Sequence, residues 1–174
     1  MQRNIVEKVV TLALLIALEI ILTRFLSINT PIVRIGFGFL PVAVCGILYG
    51  PLWAGAAYAC GDILGMLIFP SGQYFPGFTA TAVVTGVIYG LFLYKKEVTW
   101  PRVILASMTV LIISTLCLNT LWLSILYGNA FLGMLPTRIM EAAILWPVQV
   151  VTIKLVNDRL ITHLPQYKES RAKA

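Results

Sequence analysis

Few residues in this 174-residue sequence can ionise or bind a metal ion. Asp, Glu, Lys and Arg make up only 11% of the chain, whereas they form about a quarter of an ordinary soluble domain. His163 is the only histidine, and Cys45, Cys60 and Cys117 lie in apolar runs without CxxC spacing. Isolated buried cysteines usually behave as small hydrophobic residues. These scarcities argue against a disulfide scaffold, a cytosolic enzyme and a histidine-based metal site, and no cofactor is expected.

Motifs of ATP hydrolysis and of hydrolytic catalysis are missing as well. The chain has no GxxxxGK[ST] phosphate-binding loop, no HExxH pair and no Ser/His/Asp set, so neither a P-loop ATPase nor a zinc hydrolase is expected. No repeat or pair of interrupted helices relates the two halves, as it does in many secondary transporters. The sequence therefore favours a small membrane binding protein that depends on a larger partner.

Hydrophobic residues, by contrast, make up 59% of the chain and fall into six runs. A helix needs about 20 mostly apolar residues to cross the hydrocarbon core of a bilayer. We predict an all-α integral membrane protein that forms a single six-helix domain. Its transmembrane helices are predicted at residues 5–23, 35–49, 52–69, 77–94, 103–126 and 136–156. Residues 157–174 are predicted to form a cytoplasmic tail.

The positions of the basic residues predict the orientation in the membrane. Six spans place both termini on one side, and Lys and Arg are retained on the cytoplasmic side. With cytoplasmic termini, the inner segments hold Arg3, Lys8, Lys95, Lys96, Arg102, Lys154, Arg159, Lys168, Arg171 and Lys173. Only Arg24, Arg34 and Arg138 remain outside. We therefore predict cytoplasmic N and C termini in a bacterial plasma membrane, and we attribute the net charge of +6 to orientation, not to nucleic-acid binding.

The outer segments and the outer halves of the spans contain a candidate ligand site. Arginine suits the bidentate binding of carboxylates, aromatic side chains can stack on a flat ring, and a carboxylate at membrane depth usually has a function. These features together fit a flat, N–H-rich ring joined to carboxylates. The candidate ligand-binding residues are Arg24, Arg34, Asp62, Gln73, Tyr74, Phe75, Phe78, Thr79, Asn119 and Arg138.

Several of these residues also have purely structural explanations. Aromatic residues form belts at membrane interfaces. Arg138 stands three residues before Glu141, which is the spacing of an ion pair on one helix face. Asp62 and Asn119 fit a role in bracing the helix bundle equally well.

Small residues four positions apart let membrane helices approach closely. The chain has several such sets, namely Ala13/Ala17, Gly46/Gly50, Ala57/Gly61/Gly65 and Gly86/Gly90. Most of them are expected to pack within the six-helix bundle. Ala13 and Ala17 lie among Leu and Ile, which makes them candidates for contact with a separate membrane partner.

The sequence also resembles a known family. It is similar to the substrate-binding S components of energy-coupling-factor (ECF) vitamin transporters, most of all to the folate-specific branch, over about residues 13–156. The similarity is carried by Ala13-Leu14-Leu15-Ile16-Ala17, Phe37-Gly38-Phe39-Leu40-Pro41-Val42, Tyr49-Gly50-Pro51, Gly61-Asp62-Ile63-Leu64-Gly65 and the run Pro70-Ser71-Gly72-Gln73-Tyr74-Phe75-Pro76-Gly77-Phe78-Thr79.

The resemblance implies a subunit that captures folate outside the cell and has no ATPase of its own. It would dock through Ala13 and Ala17, the AxxxA element of the family, onto a transmembrane coupling subunit driven by two cytosolic ATPases. Residues 25–36 would act as a lid over the bound vitamin.

Within that family, Arg24 occupies the position for the glutamyl end of folate. A spacing of about 100° per residue puts Arg24 within about 20° of the face that carries Ala13. We therefore expect the first helix to unwind or bend near Thr23, so that Arg24 can turn towards the ligand. Glu19 lies about 140° from Arg24 on a regular helix, and the two are not expected to pair.

Three alternatives stay open at the level of sequence. The ligand of an S component could be another vitamin, such as pantothenate, riboflavin or a queuosine precursor. A small membrane enzyme acting on lipids would need clustered acids, whereas Glu19, Asp62 and Glu141 come from three different spans. A purely structural assembly subunit would leave the outer segments without a ligand.

Overall fold

The computed structural model describes residues 2–29, 34–70, 73–128 and 131–163. This part of the chain contains six helices and one two-stranded antiparallel ribbon. The helices are α1 (Gln2–Arg24), α2 (Phe39–Tyr49), α3 (Pro51–Ile68), α4 (Pro76–Leu93), α5 (Trp100–Tyr127) and α6 (Phe131–Arg159). The strands are β1 (Ser27–Asn29) and β2 (Arg34–Gly36), and a short 3₁₀ turn, Ile161–His163, follows α6. The prediction of a helical membrane protein is confirmed.

The helices differ in how well they suit a bilayer. By length and composition, α3, α4, α5 and α6 can each cross a membrane. The 23 residues of α1 are long enough, but Glu7, Lys8 and Glu19 interrupt its apolar run. With 11 residues, α2 rises only about 16 Å, which is about half the thickness of the hydrocarbon core. It therefore lies among the longer helices as a buried element, and most of its side chains are covered.

Proline and glycine set the helix boundaries. Pro51 and Pro76 each occupy the first helical position of α3 and α4, where the missing N–H would have no partner within the helix. Gly50, at the junction of α2 and α3, has a φ of 88°, which other residues rarely adopt. The tight turn between these two helices therefore depends on glycine.

The second predicted span, residues 35–49, was wrong at its beginning. Residues 34–36 are extended and pair with β1 in the register Ser27 to Gly36, and the helix begins only at Phe39. A Cβ on Gly36 would lie 2.6 Å from Ser27 Cβ, and one on Gly38 would collide with Thr23 Oγ1. Two glycines thus let this segment fold back tightly onto the end of α1 instead of continuing α2 outwards.

The half of the bundle that holds the carboxyl-terminal ends of α4 and α6 is a closed apolar core. Its fully buried side chains come from α2, α4, α5, α6 and the 3₁₀ turn, and include Ile47, Leu93, Val103, Ile153 and Ile161. Glycines bring α3 and α4 into backbone contact, because a Cβ on Gly86 or Gly90 would overlap the backbone of α3. The spacing of these two glycines predicted such close packing, and the structure confirms it.

Candidate functional site

At one end of the bundle, all six helices surround a cavity of about 580 Å³, a size typical of small-molecule binding sites. The carboxyl-terminal ends of α1, α3 and α5 and the amino-terminal ends of α2, α4 and α6 supply its walls. The predicted residues that line it are Arg24, Asp62, Gln73, Tyr74, Phe75, Phe78, Asn119 and Arg138. Thr79 lies directly behind this wall, bonded to Asp62. Arg34 belongs to β2 by its backbone, and its side chain lies outside the described part.

Asp62 is held in place by a short chain of hydroxyl groups. Thr79 Oγ1 donates a hydrogen bond of 2.7 Å to Asp62 Oδ2, and Tyr74 Oη lies 3.2 Å from the same Thr79 oxygen. Because the single Thr79 proton goes to the carboxylate, Tyr74 is the donor in the second contact. The carboxylate is therefore oriented at the cavity wall while remaining half-buried.

Two charged side chains of α1 lie in notches on α3. A Cβ on Gly61 would collide with Glu19 Oε2, and one on Gly65 would approach Arg24 Nε to 3.0 Å. Glu19 is 4% exposed and accepts a hydrogen bond of 2.7 Å from Thr23 Oγ1. The small-residue spacing of α3 therefore accommodates charged side chains at the cavity.

The expected unwinding of the first helix near Thr23 was wrong. Helical geometry continues to Arg24, and Phe25 N still donates to Ile21 O at 2.9 Å. Arginine has a long flexible side chain that can cross the helix surface, and Gly65 leaves room for it on α3. Arg24 consequently lines the cavity without any break in α1.

Arg138 and Glu141 form a buried ion pair in the cavity wall. Their atoms Nη1 and Oε2 are 2.7 Å apart, and the residues are only 5% and 4% exposed. The pairing suggested by their spacing is thus present. Since both residues also line the cavity, bracing the helix and facing a ligand are not exclusive roles.

Aromatic rings cluster on one side of the cavity. The Phe75 ring lies 6.2 Å from that of Phe78 and 5.6 Å from that of Trp122. Trp122 Nε1 donates to Thr81 Oγ1 at 3.0 Å, and Thr81 lines the cavity. A tryptophan next to the wall can therefore report on whatever fills the cavity.

An unusual stretch of α5 brings its polar residues into the cavity. The helix is α-helical at Trp100–Val110 and Thr120–Tyr127, but π-helical at Leu111–Asn119. The side chains that follow one another along the cavity are Val110, Ser114, Asn119, Leu123 and Tyr127, with a step of five inside the π-helical stretch. On an uninterrupted α-helix, Asn119 would lie about 180° from Val110. The wider turn places both on the same face.

Sequence reasoning did not select several residues that line the cavity. Glu19 and Glu141 were noted as membrane carboxylates but were not chosen as ligand-binding residues. Gln149 was also missed. Thr85 and Ser114, whose hydroxyl oxygens lie 2.8 Å apart at the cavity wall, were not chosen as ligand-binding residues either. A usable signal was the spacing of eight residues, which puts Glu141 and Gln149 on the same side of α6.

The three membrane carboxylates converge although they come from different helices. Glu19, Asp62 and Glu141 all line the same cavity. In the described ranges, no three His, Cys, Asp or Glu residues are close enough to hold a metal ion together. The convergence favours recognition of a polar ligand.

Ala13 and Ala17 lie away from the cavity. Both are exposed on α1, together with larger apolar side chains such as Val9, Val10 and Leu14. This face of α1 is not covered by the other described helices. It is available to lipid or to another membrane protein.

Comparison with known proteins identifies the family. The family model of the ECF transporter substrate-specific component matches residues 7–156. The folate transporter FolT of Clostridium novyi is 50% identical over 148 residues, covering 85% of this chain and 86% of that protein. FolT of Leuconostoc mesenteroides is 35% identical over 161 residues, covering 88% and 86%.

A solved structure agrees with this result. The crystal structure of FolT bound with folic acid superposes with a TM-score of 0.83 at 38% identity, and the match covers 87% of this chain and 93% of that one. Both the sequence and the fold match over nearly their whole length. The chain therefore belongs to the substrate-specific components of ECF transporters.

Proposed function

We propose that this protein binds folate in the outer cavity and is the folate-capture subunit of an ECF importer. The observation that carries the proposal is the cavity itself, which joins arginine, carboxylate and aromatic side chains in about 580 Å³. The FolT relatives, and the FolT structure that contains folic acid, support the same ligand.

The residues around the cavity match the chemistry of folate in three ways. Arg24, at the end of α1, is placed to bind a glutamyl carboxylate. Asp62, oriented by Thr79, can accept hydrogen bonds from ring N–H groups. Phe75 and Phe78 offer apolar surfaces to the flat pterin and benzoyl rings.

The same proposal includes the partners. The exposed Ala13 and Ala17 would dock onto a transmembrane coupling subunit, and two cytosolic ATPases would power release of folate inside the cell. The subunit itself would perform no catalysis. Support comes from membership of the ECF family and from the exposed small-residue face of α1.

Fluorescence titration of the purified protein in detergent tests the ligand. Folic acid, 5-formyltetrahydrofolate, riboflavin, pantothenate and thiamine are added separately, without partner or ATP. We expect saturable quenching by the two folates alone, and we expect Trp122→Phe to lose most of the signal because Trp122 adjoins the cavity. The matched control Trp53→Phe, at an exposed position outside the cavity lining, should retain the signal.

Two results would contradict the proposal. Saturable binding of another vitamin in place of folate would keep the S-component assignment but replace the ligand. Failure of every vitamin to bind would contradict capture by the isolated subunit.

A further inference from the structure

A glutamine in the cavity wall has an unused hydrogen-bond donor. Gln149 lines the cavity, although only 6% of its surface is exposed. Its Nε2 makes no hydrogen bond to any residue in the described part of the chain. Nor is it one of the fully buried polar atoms without a partner in that part. The nitrogen therefore keeps accessible surface, and a ligand in the cavity can reach it.

Tyr89 determines which end of the amide is available. Its side chain is fully buried, and its hydroxyl group donates to Gln149 Oε1 at 3.5 Å. Because a buried hydroxyl group without a partner is costly, this contact holds the amide oxygen towards α4. The two N–H groups of Nε2 are then left for the cavity.

The neighbours of Gln149 in the cavity lining are polar but uncharged. Thr85 precedes Tyr89 by one turn of α4, and its Oγ1 lies 2.8 Å from Ser114 Oγ of α5. Thr85 and Ser114 also line the cavity. From the start of α4 at Pro76, Thr85 lies about 13 Å along the helix. We call Thr85, Ser114 and Gln149 the floor of the cavity.

The cations of the described cavity lining lie away from this floor. They are Arg24 and Arg138. Arg24 is the last residue of α1, and Arg138 precedes Gln149 on α6 by three turns, about 16 Å. A carboxylate at the floor would lose its water without gaining a cation, whereas a neutral heterocycle needs only hydrogen bonds there. A ligand with a ring at one end and carboxylates at the other therefore places its ring at the floor.

We propose that Gln149 is a specificity-determining residue, which donates a hydrogen bond from Nε2 to an acceptor atom of the pterin ring at the floor. This inference rests on the proposed function. The pterin ring carries nitrogen atoms and a carbonyl oxygen that can accept such a bond. A ligand that presents no acceptor there leaves a buried donor unsatisfied and binds less tightly.

Two truncated forms of folic acid test which part of the ligand Gln149 contacts. Pteroic acid keeps the pterin ring and lacks the glutamyl group, whereas p-aminobenzoylglutamate keeps the glutamyl group and lacks the ring. Gln149→Met preserves the length of the side chain and removes the amide. We expect it to weaken folic acid and pteroic acid by the same factor, about tenfold, and to leave p-aminobenzoylglutamate unchanged in competition titrations.

Arg24→Gln is the control at the other end of the ligand. It should weaken folic acid and p-aminobenzoylglutamate more than pteroic acid, because only those two carry the glutamyl group. Tyr89→Phe is a second variant, which keeps Gln149 but removes the hydroxyl group that orients it. It should give the same pattern as Gln149→Met with a smaller loss, and it tests the inference even if Gln149→Met does not fold.

The outcomes separate the inference from the proposed function. Unchanged affinity of Gln149→Met for folic acid would overturn the inference and leave folate binding intact. Weakening of folic acid without weakening of pteroic acid would place Gln149 at the glutamyl end, and equal weakening of all three ligands would indicate a general distortion of the cavity. Either result would overturn the inference too. If the wild-type protein bound no folate at all, the proposed function itself would fail.

Discussion

Glycines of α3 and α4 have the same spacing but two different neighbours. Gly86 and Gly90 face the backbone of α3, so a side chain there would push two helices apart. Gly61 and Gly65 face the flexible ends of Glu19 and Arg24. A methyl group at these two positions would move a charged side chain at the cavity without separating the helices.

Gly65→Ala tests this distinction at the level of one residue. The added Cβ would lie 3.0 Å from Arg24 Nε, so the guanidinium must shift and folate affinity should fall about tenfold, the loss of one charge-assisted contact. The melting temperature should hardly change. Gly86→Ala is the matched control, since its Cβ would meet backbone, and we expect it to lower the melting temperature by several degrees. If Gly65→Ala and Gly86→Ala lowered the melting temperature equally, the proposed difference between the glycines of α3 and those of α4 would be wrong.

Asp62 offers a second test at the residue scale. Asp62→Asn keeps an oxygen that can accept the hydrogen bond from Thr79, but it removes the charge that attracts ring N–H donors. Folate affinity is expected to fall about tenfold in the titration described above. The control is Asp158→Asn, an exposed carboxylate paired with Lys154 near the far end of α6. Unchanged affinity of Asp62→Asn would remove Asp62 from the site.

The π-helical stretch of α5 could not be predicted from the sequence. Periodicity correctly predicted a long apolar helix at residues 103–126, but every helical wheel assumes about 100° per residue. On that assumption Asn119 and Val110 lie on opposite faces. The structure places both in the cavity, because hydrogen bonds between residues five apart widen the turn. No pattern of apolar residues in this stretch distinguishes the two geometries.

Cysteine protection tests the register of α5. In a background without the native cysteines, Ser114→Cys and Asn119→Cys should both react with a small thiol reagent, and saturating folic acid should protect both. Leu121→Cys, at an exposed position outside the cavity lining, should show no protection. Protection of only one of the first two positions would mean that α5 is a regular α-helix in the bilayer.

The exposed face of α1 that holds Ala13 and Ala17 allows a test of docking onto the partner. Ala13→Trp combined with Ala17→Trp should leave folate binding unchanged, since both side chains are exposed away from the cavity, but should abolish uptake by cells that contain the coupling subunit and the ATPases. Small residues permit close helix contact, and bulky ones prevent it. Ala56→Trp and Ala143→Trp, at exposed positions on α3 and α6, are the controls. Uptake by the α1 variant at the control level would rule out docking through this face.

Across the whole molecule, the sequence predicted more of the fold than of the site. Hydrophobic runs located the helices because burying apolar surface in lipid depends on composition alone. Arg24, Gln73, Tyr74, Phe75 and Phe78, chosen because their chemistry suits a ligand, all line the cavity. Other features depend on contacts between distant segments, which one sequence does not display. These features are the notches for Glu19 and Arg24, the ribbon over α1 and the convergence of three carboxylates.

The closed apolar half of the bundle limits what the subunit can do without partners. The cavity is formed at one end of the bundle, whereas buried apolar residues such as Leu93, Val103 and Ile153 fill the opposite half. A polar ligand cannot cross such a core without a large rearrangement, because its polar groups would lose their hydrogen bonds. In liposomes that contain this protein alone, radiolabelled folic acid should therefore reach about one molecule per protein and then stop. Adding the coupling subunit and ATPases with ATP inside should produce accumulation beyond that level. Continued uptake by the subunit alone would show that it transports without them.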